Sequence, residues 1–340
     1  MSGPPPPAAD TKTRDLGNGV IELFLPLPGK PTIVNIYLVD LGNGEWALID
    51  TGTGRELSRK AFSSALADLG IAEDTVRHLL ATHHHPDHFG ASEALAKDLG
   101  TRIYLHPLER ETINWMSALS ASTMLDHVRR HGIPVPKDAG EAPKPANVWA
   151  DTYKPAPHTD HELVDGEVLE LGKRRFRVVH TPGHTAGHCC FHELESGVLF
   201  VGDHLLPKIT PHIGVFSAGP QNPLGDFIAS QEKIHALEGV VLVGPAHGGV
   251  FPDHKHRATQ LIAHHEHRML EMHDYLRRRS ASAYDVAQHA FKWVFEGDPE
   301  VQRFNRGAAV METIAHLNLL EARGTATTEE RDGVVYFQAA

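Results

Sequence analysis

The segment His83-x-His85-x-Asp87-His88 packs potential metal ligands into one short stretch and constrains the fold more than any other feature. An apolar run precedes it, and a predicted helix follows it. In an extended loop, residues i and i+2 project to the same side, so His83 and His85 are predicted to bind one metal ion. Asp87 and His88 then point to a second, neighbouring position. Imidazole and carboxylate ligands favour Zn²⁺, with Fe and Mn²⁺ as alternatives.

Three further ligand candidates each follow an apolar strand and lie beside or close to a glycine. They are His184 in Pro-Gly-His, Asp203 in Val-Gly-Asp and His247 in Pro-Ala-His-Gly. Glycine lets the backbone turn tightly and approach a ligand. The chain has 26 histidines, close to its 32 Lys+Arg, so a loop that is rich in histidine by chance is the alternative. Chance does not explain candidates at successive strand ends.

Composition narrows the class of protein. The 340 residues are 41% hydrophobic and 22% charged, and the net charge is −11. No apolar run reaches the length of a membrane span, so no membrane partner is expected. The proline-rich start lacks the pattern of a signal peptide, and only two cysteines are present, which favours a cytoplasmic protein without disulfides. The negative charge disfavours a nucleic-acid partner, because phosphate contacts require a basic surface.

The chain is predicted to have three parts with one insertion. Strand and helix patterns alternate through the first part, and a region rich in proline, alanine and lysine interrupts them and is interpreted as a lid. The C-terminal part has helical patterns followed by a hairpin at Asp332-Gly333, which is typical of a winged helix. The predicted boundaries are a disordered tail at 1–18, a catalytic domain at 19–252, the insertion or lid at 107–160, and a winged-helix-like domain at 253–340.

These motifs resemble those of the metallo-β-lactamase-fold superfamily, with Leu-Ile-Asp-Thr-Gly ending at Gly52 as the first of the series. The resemblance implies an α+β fold, an αββα sandwich with a two-metal site at the sheet edge, followed by the small, mostly helical domain. It assigns His83, His85 and His184 to one metal and Asp87, His88 and His247 to the other, with Asp203 as a bridge. It also makes Asp50 a residue that orients a metal-binding histidine; a simple strand-end cap is the alternative.

The winged-helix-like C-terminal domain and the segment from Gly202 to His212 resemble those of the lactamase-β-like protein 2 and glyoxalase II-like group. Class B1 β-lactamases carry cysteine where Asp203 stands here. Animal members of the group act on RNA, whereas many bacterial members are regarded as hydrolases of esters, thioesters or lactones. The family also suggests a homodimer.

The predicted reaction is hydrolysis by a hydroxide that bridges two metal ions and attacks the carbonyl of an ester, thioester or lactone. Asp87 and Asp203 are the catalytic carboxylates in this hypothesis, and a small acyl compound is the expected substrate. One alternative is a metal-dependent endoribonuclease that holds single-stranded RNA with its C-terminal domain. The others are a β-lactam-hydrolysing enzyme and a non-hydrolytic relative.

Substrate contacts are predicted from position alone. His188, His204 and His212 lie next to metal-ligand motifs, so they are candidates for binding substrate or assisting a leaving group. Trp115 and Met116 belong to an apolar stretch of the insertion and are candidates for lining a groove over the metals. The alternative for these two residues is that they pack the insertion onto the core.

Overall fold

A computed structural model describes residues 12–29, 31–118, 120–135, 153–216, 219 and 221–340. Most of the predicted tail, and residues 136–152 of the predicted insertion, lie outside the described residues. Within the described chain no helix combines the length and the apolar character needed to cross a bilayer.

The first sheet has seven strands that neighbour one another in chain order. Its first four strands are antiparallel, because short turns connect them, and the remaining strands are parallel, because helices connect most of them. The strands are Thr13–Gly17 (β1), Val20–Pro26 (β2), Ile33–Asp40 (β3), Trp46–Ile49 (β4), Val76–Leu80 (β5), Arg102–Leu105 (β6) and His161–Glu162 (β7).

Strand β1 corrects the prediction that residues 1–18 form a disordered tail. Thr13 pairs with Leu23 and Asp15 pairs with Ile21, so the folded chain includes an edge strand in this range. Asn18 and Gly19 have positive φ angles of 51° and 73° and turn the chain into β2. The charged sequence of β1 did not resemble a buried strand, because an edge strand has only one neighbour to pair with.

The second sheet has five strands in the spatial order β12-β11-β10-β9-β8. Strands β8 to β11 are antiparallel, and β11 and β12 are parallel because a helix connects them. The strands are Val168–Leu171 (β8), Arg174–His180 (β9), Cys189–Glu193 (β10), Val198–Gly202 (β11) and Leu242–Pro245 (β12).

Helices cover the outer faces of both sheets. Inner-face residues of the two sheets, such as Tyr37 and Phe200, share one core cluster. Phe62 packs outside the first sheet, and Phe227 packs outside the second. The predicted αββα sandwich is confirmed. The first six helices are Glu56–Leu69 (α1), Pro86–Phe89 (α2), Ser92–Ala94 (α3), Pro107–Ala118 (α4), Ala121–Arg130 (α5) and Pro223–His235 (α6), with a 3₁₀ turn at Glu73–Thr75 and a π-helical turn at Leu95–Leu99.

The C-terminal region contains helices and a three-stranded sheet in the order β13-β15-β14. Its helix α8 begins with a capping box, in which Ser282 and Asp285 bond to each other's backbone N–H groups. Leu261 and Ile314 of this region share a core cluster with Val201 of the second sheet, so packing continues across residue 252. The elements are His254–Leu276 (α7), Ala281–Ser282 (β13), Ala283–Ala290 (α8), Lys292–Phe295 (α9), Pro299–Ala322 (α10), Ala326–Arg331 (β14) and Val334–Ala339 (β15).

Candidate metal centre

The ligand candidates lie where strands end, at one edge of the sandwich. Asp50 follows β4, His83 follows β5, Asp203 follows β11 and His247 follows β12, each at the carboxyl end of its strand. His184 lies in the loop after β9. Loops at the carboxyl ends of strands in two facing sheets meet at one edge, so residues far apart in sequence become neighbours.

The first ligand set consists of His83, His85, His184 and Asp203, whose ligand atoms all lie within 4.8 Å of one another. His85 Nδ1 lies 2.9 Å from His83 Nε2 and 3.0 Å from His184 Nε2. Asp203 Oδ2 lies 3.6 Å from His184 Nε2. Three imidazole nitrogens and one carboxylate oxygen therefore converge on one point, which is a ligand set typical of zinc.

The second ligand set consists of Asp87, His88 and His247. Asp87 Oδ2 lies 3.4 Å from His247 Nε2 and 3.7 Å from His88 Nε2. Asp203 also reaches this set, since its Oδ2 lies 3.5 Å from His88 Nε2 and its Oδ1 lies 3.4 Å from His247 Nε2. Asp203 is thus the residue that contacts both sets.

Hydrogen bonds at the outer ring nitrogens fix the orientation of three of these histidine rings. The Nδ1–H groups of His184 and His247 donate to the carbonyl oxygens of His212 and Ile33 at 2.8 and 3.0 Å. His88 Nδ1 donates to Asp50 at 2.8 Å. Because carbonyls and carboxylates only accept, each ring carries its hydrogen on the outside and directs the Nε2 lone pair inward.

Asp50 joins this arrangement from the end of β4. Besides His88, its carboxylate accepts hydrogen bonds from the backbone N–H of Thr82 at 2.7 Å and from the Thr82 hydroxyl at 2.8 Å. Asp50 has a positive φ of 61°, which the surrounding hydrogen bonds hold in place. One carboxylate therefore positions both His88 and the residue that precedes His83.

The carboxylates around the second ligand set favour a positive charge at that position. Despite burial, Asp87, Asp203 and Asp50 together raise the pKa of His88 well above its ordinary value. Burial alone would raise the pKa of the Asp203 carboxyl, but His88 and His247 hold it well below its usual range. His88 Nε2 and Asp203 Oδ1 are buried without a hydrogen-bond partner among the described residues. Divalent cations would supply the partners that these buried atoms lack, so the residues fit the metal ions that the motif predicts.

Glu109 supports the site, although it belongs to no sequence motif. It lies on α4 and has no exposed surface. Its Oε2 accepts a hydrogen bond from the His84 backbone at 2.8 Å and another from His84 Nδ1, and its Oε1 accepts one from Gly187 N at 2.6 Å. Despite burial, the contact with His84 lowers the pKa of Glu109 to about 2. An ionised carboxylate thus ties the His83–His88 loop to the loop that carries His184.

The loop that carries His247 is held by β3. Asn35 Nδ2 donates to the carbonyls of Pro245 and Gly248 at 3.0 and 2.7 Å, and the Tyr37 hydroxyl donates to Pro245 O at 2.7 Å. These residues also lack a sequence motif, because their partners lie more than 200 residues away. They make the His247 loop rigid.

The residues predicted to contact substrate differ from one another in their burial. His188 and His204 have no exposed surface; His188 Nδ1 bonds to Thr181 Oγ1 at 2.9 Å, and the Gln231 amide bonds to His204 Nε2 at 3.0 Å. The structure therefore places both behind the ligands and not at a surface open to substrate. His212 is partly exposed, and its ring faces Glu312. Trp115 and Met116 lie on α4, and Met116 is 46% exposed.

The sequence profile described as "Metallo-beta-lactamase superfamily" matches residues 29–247. The chain belongs to the metallo-β-lactamase superfamily. The match includes both ligand sets and Asp50, so the resemblance predicted from the motifs is confirmed. The superfamily fold implies binding of divalent metal ions, and the ligand sets described above are where this member would bind them.

Similar superfamily members differ in name and length. A "Lactamase-like protein nscB" from Neosartorya fischeri is 30% identical over 78% of this chain, which spans only 63% of that protein. The human "Acyl-coenzyme A thioesterase MBLAC2" is 27% identical over 70% of this chain and 81% of its own. The crystal structure of the metallo-β-lactamase family protein TTHA1429 from Thermus thermophilus has a TM-score of 0.82 at 32% identity, covering 96% of this chain and 100% of that one.

Proposed function

We propose that this superfamily member uses two metal ions to hydrolyse the thioester bond of a small acyl substrate, with esters and lactones as poorer substrates. The observation that carries the two-metal part is the position of Asp203, whose two oxygens contact His184, His88 and His247. A single carboxylate shared by two ligand sets is suited to holding two cations close together.

The metal ions, when bound, would supply Lewis acidity toward water and toward the substrate carbonyl. The residues of the chain supply position and charge. The inward Nε2 lone pairs of His184, His88 and His247 are fixed by their outer hydrogen bonds, so little reorganisation is needed during the reaction. The carboxylates of Asp87 and Asp203 stay ionised beside His88 and His247.

Covalent catalysis by cysteine is disfavoured. Cys189 and Cys190 are fully buried in strand β10, and burial raises the pKa of Cys190 to about 12. A buried thiol in its neutral form is a poor nucleophile. Direct attack on the substrate carbonyl by a water molecule activated at the ligand sets therefore agrees best with the burial of both cysteines.

A cavity of about 750 Å³ is the proposed position of the organic part of the substrate. It lies between α5, α10, the terminal hairpin and the loop that continues from His212. None of the seven ligand residues lines it, but Val215 and Phe216 do, and His212 in the same loop holds His184. Its lining is mixed, with Phe216 and Phe337 beside Arg130 and Glu330, which fits an amphipathic acyl compound better than a run of phosphates.

The name of the human relative, a thioesterase, supports the thioester among the three bond types. The net charge of −11 supports a small substrate over RNA. Strand β14 in the terminal hairpin carries Glu329 and Glu330 as well as Arg331, so the hairpin does not offer RNA a basic surface.

A substrate panel tests the proposal. Zinc, manganese and iron forms are assayed with an acyl-coenzyme A thioester, the matching oxygen ester, a lactone, a cephalosporin and single-stranded RNA. We expect the thioester to have the highest kcat/KM, and Asp203→Ala to abolish its turnover. The control is Asp68→Ala, which removes an exposed carboxylate. Cleavage of RNA without thioester turnover, or an unaffected Asp203→Ala enzyme, would overturn the proposal.

The cavity is tested with Phe216→Ala. Because Phe216 is 53% exposed, its replacement should leave the fold intact while raising KM for long acyl chains more than for short ones. Leu57→Ala on α1, where the side chain is 66% exposed, is the control. An unchanged ratio of long-chain to short-chain kcat/KM would show that the cavity does not receive the acyl part.

A further inference from the structure

A third group of metal-binding side chains lies in the C-terminal region, away from the metal centre. It consists of His265 on α7 and of Glu312 and His316 on α10, and their ligand atoms all lie within 4.8 Å of one another. No motif of the superfamily series includes these residues, since the family match ends at residue 247.

The geometry resembles that of the first ligand set. His265 Nδ1 lies 3.1 Å from His316 Nε2, close to the 2.9 Å between His83 and His85. Zn–N bonds of about 2.0–2.1 Å in a tetrahedral site place ligand nitrogens roughly 3.3 Å apart. Glu312 and His316 are four residues apart on α10, so their side chains project from the same face of the helix toward α7.

The orientation of His316 is fixed in the way expected of a metal ligand. Its Nδ1–H donates to the carbonyl oxygen of Glu312 at 2.8 Å, so its Nε2 lone pair faces His265. His265 Nε2 is buried and has no hydrogen-bond partner among the described residues. The centroid of the Phe227 ring lies 5.4 Å from that of the His265 ring, at an interplanar angle of 80°, and an N–H group is better accommodated beside an aromatic ring than a lone pair is. This favours hydrogen at Nε2 and a second lone pair, at Nδ1, facing His316.

Charge also favours a cation here. The Glu312 side chain is only 13% exposed, and its Oε2 lies 3.6 Å from His212 Nδ1. Although burial acts in the opposite direction, the hydrogen bond and charge of His212 lower the pKa of Glu312. Burial and the neighbouring His316 lower the pKa of His265 to about 3. An ionised carboxylate and two neutral imidazoles are the forms that bind divalent metals.

We propose that His265, Glu312 and His316 bind a further divalent metal ion of the zinc class. Two imidazole nitrogens and a carboxylate oxygen suit Zn²⁺. The ion would join α7 to α10 and would lie behind the His212 loop, because His212 contacts Glu312 through its ring and His184 through its carbonyl. The site stabilises the C-terminal region and its contact with the metal centre, whatever bond the metal centre cleaves.

Metal counting tests this proposal. The protein is stripped with a chelator, dialysed against Zn²⁺ and measured by inductively coupled plasma mass spectrometry. We expect Glu312→Gln and His316→Ala each to hold one zinc ion fewer per chain than the wild type. Glu312→Gln preserves side-chain shape, so it remains informative if His316→Ala fails to fold. The matched control is His267→Asn, which removes an exposed histidine of the same helix and should leave the zinc count unchanged.

A second arm separates this site from the metal centre. A variant with His83→Ala and His88→Ala should lose the ions of the metal centre and still retain one zinc ion, which Glu312→Gln in the same background removes. An equal zinc count in the wild type and Glu312→Gln, or no zinc in the double variant, would overturn the proposal. Neither result depends on turnover, so failure of the thioesterase proposal would leave this test intact.

Discussion

The carboxylate of Glu109 accepts two hydrogen bonds from one residue, His84, through its backbone N–H and through its ring Nδ1. His84 lies between the ligands His83 and His85, and the other Glu109 oxygen accepts from Gly187 at 2.6 Å. Helix α4, at the start of the predicted insertion, thus joins the two loops that carry the histidines of the first ligand set. This contact gives the insertion a defined role in building the metal centre.

Replacing Glu109 should therefore weaken metal binding without touching a ligand. We expect Glu109→Ala to reduce zinc affinity by about 10–100-fold, the usual effect of losing a residue that orients metal ligands. Glu109→Gln should have a smaller effect, since its amide oxygen still accepts one of the hydrogen bonds. Affinity is measured by competition with a chromophoric chelator. The control is Glu111→Ala, an exposed residue of the same helix; equal affinities for all variants would contradict the positioning role.

Asp50→Asn should act mainly on the second ligand set. An amide nitrogen cannot accept the hydrogen bond from His88 Nδ1, and an amide oxygen accepts it without charge. We expect one metal ion to bind roughly 10–100-fold more weakly, while the affinity for the other falls less, because an amide oxygen can still accept the hydrogen bonds from Thr82. Stepwise titration with Co²⁺, followed by its absorption spectrum, resolves the two steps. Asp68→Asn, which alters an exposed carboxylate, is the control, and a uniform loss in both steps would count against the assignment.

Gly202→Ala should disturb the approach to Asp203. Gly202 has a φ of +47°, and an added Cβ would lie 2.6 Å from Thr82 Oγ1 and 2.8 Å from His188 Nε2. Such crowding in a strained conformation should lower the free energy of unfolding by about 1–3 kcal/mol and should weaken metal binding as well. Urea denaturation measures the change. Gly29→Ala has open space around its added Cβ and should be neutral.

The buried Glu22 carboxyl should make the free energy of unfolding depend on pH, independently of metal binding. Burial raises the pKa of Glu22 from 4.5 to about 7, although Arg14 and the Tyr37 hydroxyl oppose the increase. Between these values the unfolded chain releases this proton and the folded chain retains it. The stabilisation linked to Glu22 is therefore complete below pH 4.5 and declines as pH rises to about 7.

Glu22→Gln should remove that decline. Relative to the wild type, the variant should gain up to about 3 kcal/mol in unfolding free energy between pH 4.5 and pH 8, as a pKa shift of this size implies. Urea denaturation of both proteins at several pH values measures the difference. Parallel pH profiles would show that the ionisation of Glu22 does not change on unfolding.

Local sequence patterns were sufficient for the set of ligand candidates, and the family resemblance that their order supports implied the sandwich. The strands that precede the ligand candidates are largely apolar runs, and glycine marks several of the turns, so this evidence lies within a few adjacent residues. The same approach misplaced the start of the fold, because β1 is a charged edge strand. It also selected His188 and His204 for substrate contact, whereas both are buried, since proximity in sequence does not report which way a side chain faces.

By itself the sequence determined which residue types are available for metal binding and in what order they occur along the chain. The family resemblance implied how the seven ligand candidates are grouped, and only the tertiary structure showed the contacts that build these and other groups. Asp203 contacts both ligand sets, Glu109 joins two loops, and His265 meets Glu312 and His316. These groupings depend on how strands and helices pack, and packing brings together side chains that no short pattern connects. Burial then sets their charge, because a buried group is stabilised by its neighbours and not by water.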